Sequence, residues 1–560
     1  MTESPAIILI VGSLLVPFLR GRLQSAYLLL LPLISAAHLL GLEPGVYGQM
    51  RVFDYDLTPV RIDRLSLVWG YIYHIAVFLT VIYALHVKDS IQHVAGLIYA
   101  GSAIGAVFAG DLITLFVFWE LTAVSSVFLI WARKTERSYA SGMRYLLVQV
   151  GSGVILLAGI LIHLHEGGTL EFGHLGLVST GTTLIFIAFG IKCAFPLLHN
   201  WLQDSYPEAT VTGTVFLSAF TTKLAVYAFA RGFAGTEILV PIGAAMAAFP
   251  IFYAVIENDL RRVLAYSLNN QLGFMIVGVG IGTELSLNGT AAHAFSHILY
   301  KALLFMSVGA VLYRTGTANG SELGGLYKSM PLTMVFCCVG AASISAFPLF
   351  SGFISKSLVM TASAEGHYII TWYILLFASA GVFHHSGIKI PFFAFFAHDS
   401  GIRCKEAPTN MLIAMGVTAA LCILIGIFPG PLYGILPYPV NYVPYTTSHV
   451  ITQLQLLIWS ALAFTFLKRT GLYPPELPSV NLDTDWVYRR VLPGTARLFV
   501  SVGAPIRDAF IEGSKGLVTR LIDGVRVHYG PGGIFAKTLS TSNAVFIVTL
   551  LLVAYLVFYL

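Results

Sequence analysis

Hydrophobic residues in this chain come in long blocks, not in the alternation of a half-buried strand. Runs of helix-spanning length lie at 5–19, 24–41, 65–87, 92–109, 112–131, 145–163, 180–197, 211–231, 238–257, 263–282, 289–312, 331–361 and 369–396, then at 409–429, 451–467 and 543–560. Crossing a hydrocarbon layer of ~30 Å takes about 20 apolar residues. The pattern therefore predicts about fifteen core helices and a terminal one: an all-α polytopic membrane protein with about 14–16 transmembrane helices.

After Pro474 the pattern changes. Leu498, Val502, Ile506, Phe510, Leu517, Leu521 and Val525 recur at helical spacings, with Arg507, Asp508, Glu512, Lys515, Arg520 and Asp523 on the other face. This predicts an amphipathic lateral helix over 496–527, too polar to span, ended by Gly530-Pro-Gly-Gly533. The expected organisation is 1–64, N-terminal helices and an outer loop; 65–430, the core; 431–473, the last core helix; and 474–560, the lateral and terminal helices.

Composition excludes a soluble protein: 57% of residues are hydrophobic, 11% are charged, and mean hydropathy is +0.80, too few polar groups to cover a water-facing surface. The N-terminal Met1-Thr-Glu-Ser carries no basic residues, so the first apolar run reads as a spanning helix and not a removable leader. Cys193, Cys337, Cys338, Cys404 and Cys422 lack CxxC spacing and read as packing residues. The net charge of +5 is dispersed between apolar runs, which argues against a nucleic-acid surface. Arg20/Arg22, Lys88, Arg133/Lys134/Arg137, Arg261/Arg262, Arg314/Lys328 and Arg403/Lys405 fall in alternate loops, so that side is expected to be cytoplasmic and the N-terminus outside. In the outer loop at 43–64, Asp54, Asp56 and Asp63 offset Arg51, Arg61 and Arg64.

Five charges lie several residues inside apolar runs, beyond the reach of snorkelling: Glu120, Lys192, Lys223, Lys301 and Lys389. An ammonium there costs ~2.5–3.5 kcal/mol on insertion scales. Glu120 sits eight residues into its run, ~12 Å deep at 1.5 Å per residue. A Glu and a Lys within a few ångström hold each other charged, and moving a proton on one changes the field on the next. Pro196 and Pro207 predict that the Lys192 helix is interrupted at membrane depth, as in ion pathways.

His293, His297 and Lys301 are spaced by four and share one helix face. They read as a proton relay, as polar groups bonding neighbouring helices, or as a metal site, although no carboxylate or thiol accompanies the pair on that helix. Gly-Ile-Lys192 trailed by Pro196 is echoed by Gly-Ile-Lys389 trailed by Pro391, which suggests two related halves. Arg261 and Arg262 read as orientation charges at a helix start. The Phe347-Pro-Leu-Phe-Ser351 segment predicts another helix break, with Lys356 as a boundary charge or a cavity liner.

Several motifs carry a resemblance. Phe118-Trp-Glu120-Leu, the Lys192 helix with His199-x-Trp-Leu-x-Asp204-x-Tyr-Pro-Glu-Ala209, Lys223, Asp259-Leu-Arg-Arg-Val-Leu-Ala-Tyr-Ser267, His297-Ile-Leu-Tyr-Lys-Ala-Leu-Leu-Phe305 and Pro348-x-x-Ser-Gly-Phe353 resemble the proton-translocating antiporter-like subunits of respiratory complex I. Ser386-Gly-Ile-Lys-Ile-Pro-Phe-Phe393 is more closely similar to the D-type subunit of the Mrp-type multisubunit Na+/H+ antiporter. The resemblance covers roughly 65 to 430. It implies that Glu120 pairs with Lys192, that Lys223, His293, His297 and Lys301 continue a hydrated path, and that Lys389 leads to an exit. It also implies partner subunits, H+ and Na+ as the transported ions, no cofactor and no metal, and a place in the cell's plasma or inner membrane.

Two other readings stand beside it. One is a pumping subunit of a redox-linked complex, whose redox centres would lie in partners because no iron–sulfur cysteine framework occurs here. The other is a non-conducting anchor that holds partners through 474–560. No Gly-x-Ser-x-Gly, phosphate loop or HExxH in a suitable context supports an enzyme.

Overall fold

The structure is a computed structural model that describes residues 4–478 and 481–559; Met1–Glu3, 479–480 and Leu560, the last residue of the terminal run, lie outside the described residues. The regular secondary structure of the described residues is helical apart from two short antiparallel ribbons in the loop at 43–64, β1 (Gly45–Tyr47) with β4 (Val60–Ile62) and, between them, β2 (Met50–Val52) with β3 (Tyr55–Leu57). The first helices are α1 (Pro5–Ser13), α2 (Gly21–Leu40), α3 (Arg64–Ala84), α4 (Ser90–Phe108), α5 (Leu112–Trp131) and α6 (Glu136–His165). Then come α7 (Thr180–Lys192), α8 (Asn200–Ser205), α9 (Val211–Ala219), α10 (Thr221–Gly232), α11 (Leu239–Ile256), α12 (Leu260–Ile281) and α13 (Glu284–Thr315). They are followed by α14 (Pro331–Ile344), α15 (Ser351–Glu365), α16 (Ile369–Val382), α17 (Thr409–Ile427), α18 (Gly430–Gly434), α19 (Thr447–Arg469), α20 (Leu492–Tyr529) and α21 (Thr541–Tyr559). Among the described residues, 12 helical segments are long and apolar enough to cross a membrane, counting α9 with α10 (Val211–Gly232) and α16 with its continuation (Ile369–Phe396) as one each, which makes this a multi-pass membrane protein.

Two compact units divide at Asn481 and Leu482. In the first, acids at helix starts take up orphan N–H groups: the side chains of Asp63, Asp89, Asp111 and Asp259 accept from Ser66, Ile91, Thr114 and Arg261 N–H. Helix α13 and the α9–α10 pair form its interior, with nearly every residue buried. In the second unit, α20 is longer than the expected 496–527 and buries no residue.

Breaks interrupt three predicted runs. After α7, Ala194 (φ 61°) and Leu197 (φ 71°) are left-handed; after α14, so are Ala346 (φ 56°) and Leu349 (φ 73°). The hydrogen bonds match as well: Phe195 N–H donates to Gly190 and Phe347 N–H to Ala342, each at 3.0 Å. The run 331–361 is thus two helices, α14 and α15, parted at the segment where Pro348 predicts a break. Run 211–231 is also two, parted at Phe220 (φ −105°, ψ −66°), a break the sequence does not announce with Pro or Gly. The internal echo is therefore carried by Ala-Phe-Pro-Leu at 194–197 and 346–349. The Gly-Ile-Lys comparison misplaces it, because Lys389 ends a π-helical stretch, Phe383–Lys389, that continues α16.

Candidate functional site

The first cluster joins α5, α6 and α7. Lys192 ends α7, is fully buried, and donates from Nζ to the carbonyl of Trp119 (2.8 Å) and to Thr122 Oγ1 (2.9 Å). Its ammonium lies 4.1 Å from the Trp119 ring centre, a cation–π placement. Glu120 is close enough for its charge to act on Lys192, but among the described residues no N···O approach within 4 Å joins them, and Glu120 Oε1 has no hydrogen-bond partner. The direct pair that the resemblance implies is replaced here by contacts to neutral oxygens.

The second cluster lies at the α9–α10 break. There the helix has no continuous ladder, so the carbonyl of Ser218 is free to accept from Lys223 Nζ at 2.6 Å, with Thr222 Oγ1 at 3.2 Å. Tyr99 OH receives the Thr221 N–H (3.0 Å), which holds the break open from α4. The charge of Lys223 acts on His297 and Lys301 of α13.

On α13 the predicted face is present and wholly buried. The rings of His293 and His297 stand 6.1 Å apart. His293 Nδ1 shares a hydrogen bond with Ser355 Oγ (3.1 Å), while neither nitrogen of His297 has a partner among the described residues. Lys301 Nζ donates to Ser267 Oγ (2.8 Å) and the Leu264 carbonyl (3.3 Å). Ser386 Oγ donates to Ser267 Oγ (2.7 Å), and His385 Nδ1 meets Ser386 Oγ at 2.9 Å. A continuous hydrogen-bonded line thus runs from Lys301 to the π-helical stretch that ends in Lys389.

Lys389 Nζ donates to the carbonyls of Ala254 (3.2 Å), Val255 (2.7 Å) and Glu257 (2.6 Å) at the C-terminal end of α11, and pairs with Glu476 at 3.1 Å. Lys356, weighed in the sequence as a boundary charge or a cavity liner, is buried; its Nζ donates to the Ile344 carbonyl (2.7 Å) and stands 5.3 Å from the Phe274 ring centre. Ser267 and Ser386 lie within the motifs that carry the resemblance but have no charge to single them out, His385 directly precedes one of them, and Glu476 is marked only by two preceding prolines.

Arg261 is not a surface orientation charge. It is 1% exposed, and its guanidinium donates to the carbonyls of Pro207 (2.7 Å), Ala209 (3.0 Å) and Thr210 (3.2 Å) and to Thr214 Oγ1. It thereby satisfies the backbone that the Pro207 break leaves without partners. Nearby, Glu208 pairs with Arg137 at 2.7 Å and Arg133 at 3.5 Å. Among the described residues no group of three or more His, Cys, Asp or Glu side chains is placed to hold a metal ion.

Residues 109–382 match the family described as NADH:quinone oxidoreductase/Mrp antiporter, transmembrane. The chain is 28% identical over 371 residues to hydrogenase-4 component B of Escherichia coli (strain K12), covering 59% of this chain and 55% of that protein. It is also 28% identical over 355 residues to the D-type subunit of the Na(+)/H(+) antiporter of Alkalihalophilus pseudofirmus, 59% of this chain and 71% of that protein. The match to the hydrogenase component thus spans little more than half of that relative's length. Among solved structures, a chain of the Mrp complex from Dietzia sp. DQ12-45-1b superposes with a TM-score of 0.67 at 19% identity, over 83% of this chain and 95% of the other. A chain of the membrane-bound sulfane sulfur reductase, an archaeal respiratory membrane complex, superposes with a TM-score of 0.70 at 23% identity, over 98% and 99%. Both share this fold.

Proposed function

Starting from a chain that carries, over residues 109–382, the membrane domain of the NADH:quinone oxidoreductase/Mrp antiporter family, we propose that it is the proton-translocating subunit of a multisubunit assembly in the cell membrane. The observation that carries this reading is how the buried ammonium groups are held. Lys192, Lys223 and Lys301 are fully buried and bonded to carbonyl and hydroxyl oxygens. An ammonium held by neutral oxygens can pass its proton on without tearing apart an ion pair.

Buried side-chain atoms of Gln149, Gln203, Asn269, Ser296 and His297 have no protein partner among the described residues. Polar groups in that condition are where buried water binds, and water between the lysines completes a file for protons. In this reading Glu120 tunes Lys192 through its field, Lys223 and the α13 histidines carry the proton across the centre, and the Lys301–Ser267–Ser386–His385 line delivers it towards Lys389.

The resemblance to the D-type Mrp subunit makes Na+ the first candidate for the exchanged ion. The test is proton flux in inverted vesicles carrying the whole assembly, with and without Na+. Glu120→Gln and Lys192→Ala should each abolish flux while assembly persists; full flux in either removes its assigned role.

A second reading, proton pumping within a redox-linked complex, is favoured by one observation: the sulfane sulfur reductase chain shares the fold over 98% of this chain, against 83% for the Mrp chain. Flux that follows an electron donor and ignores Na+ gradients, in an assembly with iron–sulfur subunits, selects it.

A further inference from the structure

The connector after α19 turns back onto the path. Tyr473 stacks on His384, ring centres 5.5 Å apart, and packs with Phe393 and Phe464. Three residues on, Glu476 reaches Lys389 Nζ at 3.1 Å with its side chain 5% exposed. Asn481 closes the same corner by donating to Glu257 Oε2 at 3.0 Å. Among the described residues the other hydrogen bonds of Lys389 go to the outward-pointing carbonyls of the α11 C-terminus, which attract an ammonium but cannot take its proton. Glu476 is the carboxylate in contact with it.

This inference rests on the reading of the lysine path as a proton path. We propose that Glu476 is the terminal proton acceptor: it takes the proton of Lys389 and releases it to water on the side of the connection between α11 and α12. In the step the Nζ–H bond breaks and the Oε1–H bond forms, so that an ion pair becomes a neutral amine and a neutral acid. The acid then loses its proton to water, and the path recharges the amine. No net charge is created within the buried pair.

The surroundings suit that role. Burial pushes the Glu476 carboxyl above the usual carboxylate range, against the pull of Lys389 and Lys468, with Glu257 adding to the rise. A carboxylate of raised proton affinity is a better acceptor for an amine's proton. The groups that bear on it are Lys389 from the π-helical stretch, Lys468 from α19 and Glu257 from the end of α11, and its own charge bears on Tyr473 of the same segment.

The experiment measures proton flux against pH in inverted vesicles carrying the whole assembly. Glu476→Gln, which keeps the shape and loses the acceptor, should lower flux about tenfold or more. Glu476→His, which substitutes a group titrating near 6.5, should move the pH profile by about one unit or more. A merely structural contact predicts no such displacement. Wild-type flux in Glu476→Gln overturns the proposal, and so does an unmoved profile in Glu476→His whether or not the Gln variant assembles. Lys192→Ala serves as the separate control: if it retains flux, the path itself is wrong; if it loses flux while the Glu476 variants behave as wild type, only the terminal acceptor is wrong.

Discussion

Glu120 occupies the space that a side chain at Gly153 would need: a Cβ built on that glycine of α6 would overlap the carboxylate oxygen Oε1. The glycine has ordinary helical backbone, so its value lies in the room it leaves and not in conformational freedom. Gly153→Ala should therefore push the carboxylate off its site beside Lys192 without removing any ionisable group. The expected outcome is a loss of proton flux of about tenfold or more, approaching that of Glu120→Gln, with assembly intact on native gels. Flux unchanged in Gly153→Ala means that the position of Glu120 within this pocket is unimportant.

Ala194 and Ala346 are paired by conformation. Both are left-handed, both precede Phe-Pro-Leu, and both close the same pattern of backbone bonds. A left-handed alanine costs ~1–2 kcal/mol per residue, and a β-branched side chain suits the region worse still. Ala194→Val and Ala346→Val should each lower thermal stability in detergent by about 2 kcal/mol or more, whereas the glycine substitutions should be neutral to slightly stabilising. Equal behaviour of Val and Gly at either position would mean that the break relaxes.

The all-α membrane fold and the buried charges were legible because apolar length and an ammonium inside it are strong signals. Breaks marked by proline at 196 and 348 were legible for the same reason. The break at Phe220 was not, since it is held by a hydroxyl on another helix, Tyr99, and no local residue type announces that. The Glu120–Lys192 spacing was equally beyond reach of the sequence: whether two buried groups touch or act through 4 Å or more depends on rotamers and on competing acceptors such as the Trp119 carbonyl. Arg261 was misread because a charge at a helix start looks the same whether it faces water or the carbonyls of a broken segment.

Arg261 supplies a test of that last point. Removing its guanidinium leaves the Ala209 carbonyl without its donor, at ~1–3 kcal/mol for such a group, while the carbonyls of Pro207 and Thr210 keep Arg133 and the Thr214 N–H. Arg261→Ala should cost about 1–3 kcal/mol and reduce the amount of assembled protein. Arg261→Lys should recover only part, because one ammonium lacks the planar fork that reaches several carbonyls. A wild-type melting temperature for Arg261→Ala would show that the broken segment does not depend on this residue.

Asp63 provides the acid-side prediction. Burial works to raise its carboxyl, but the hydrogen bond and charge of Arg231, the Ser66 N–H and Arg61 outweigh it and hold the group below its ordinary value of 3.8. A carboxyl lower in the folded state than in the unfolded chain contributes stability above the unfolded value and loses it as pH falls through the folded one. The side chain is 37% exposed, so solvent screening limits the contribution to about 1 kcal/mol. Asp63→Asn should therefore melt below wild type at neutral pH, and the two should converge only below about pH 4. A gap that persists undiminished in acid would assign the loss to packing.

The line from Lys301 to His385 depends on two hydroxyls that cannot titrate in the working range, so they can only pass a proton by accepting one hydrogen bond while donating another. Ser267 accepts from Lys301 and from Ser386, and Ser386 in turn meets His385, so passage from Lys301 towards His385 requires the Ser386 hydroxyl to rotate and the Ser267–Ser386 bond to reverse, with Ser267 donating. Ser267→Ala breaks the line at its centre and leaves the Lys301 ammonium only the Leu264 carbonyl at 3.3 Å. Ser386→Ala leaves Lys301 bonded and interrupts the line one step later. If the line carries protons, both variants should lose flux, by about tenfold or more, while Ser267→Ala alone should also lose stability, by ~1–3 kcal/mol for the weakened hold on a buried charge. Wild-type flux in Ser386→Ala, with assembly and Lys301 contacts preserved, would remove the hydroxyl line from the path and leave water as the only carrier between Lys301 and Lys389.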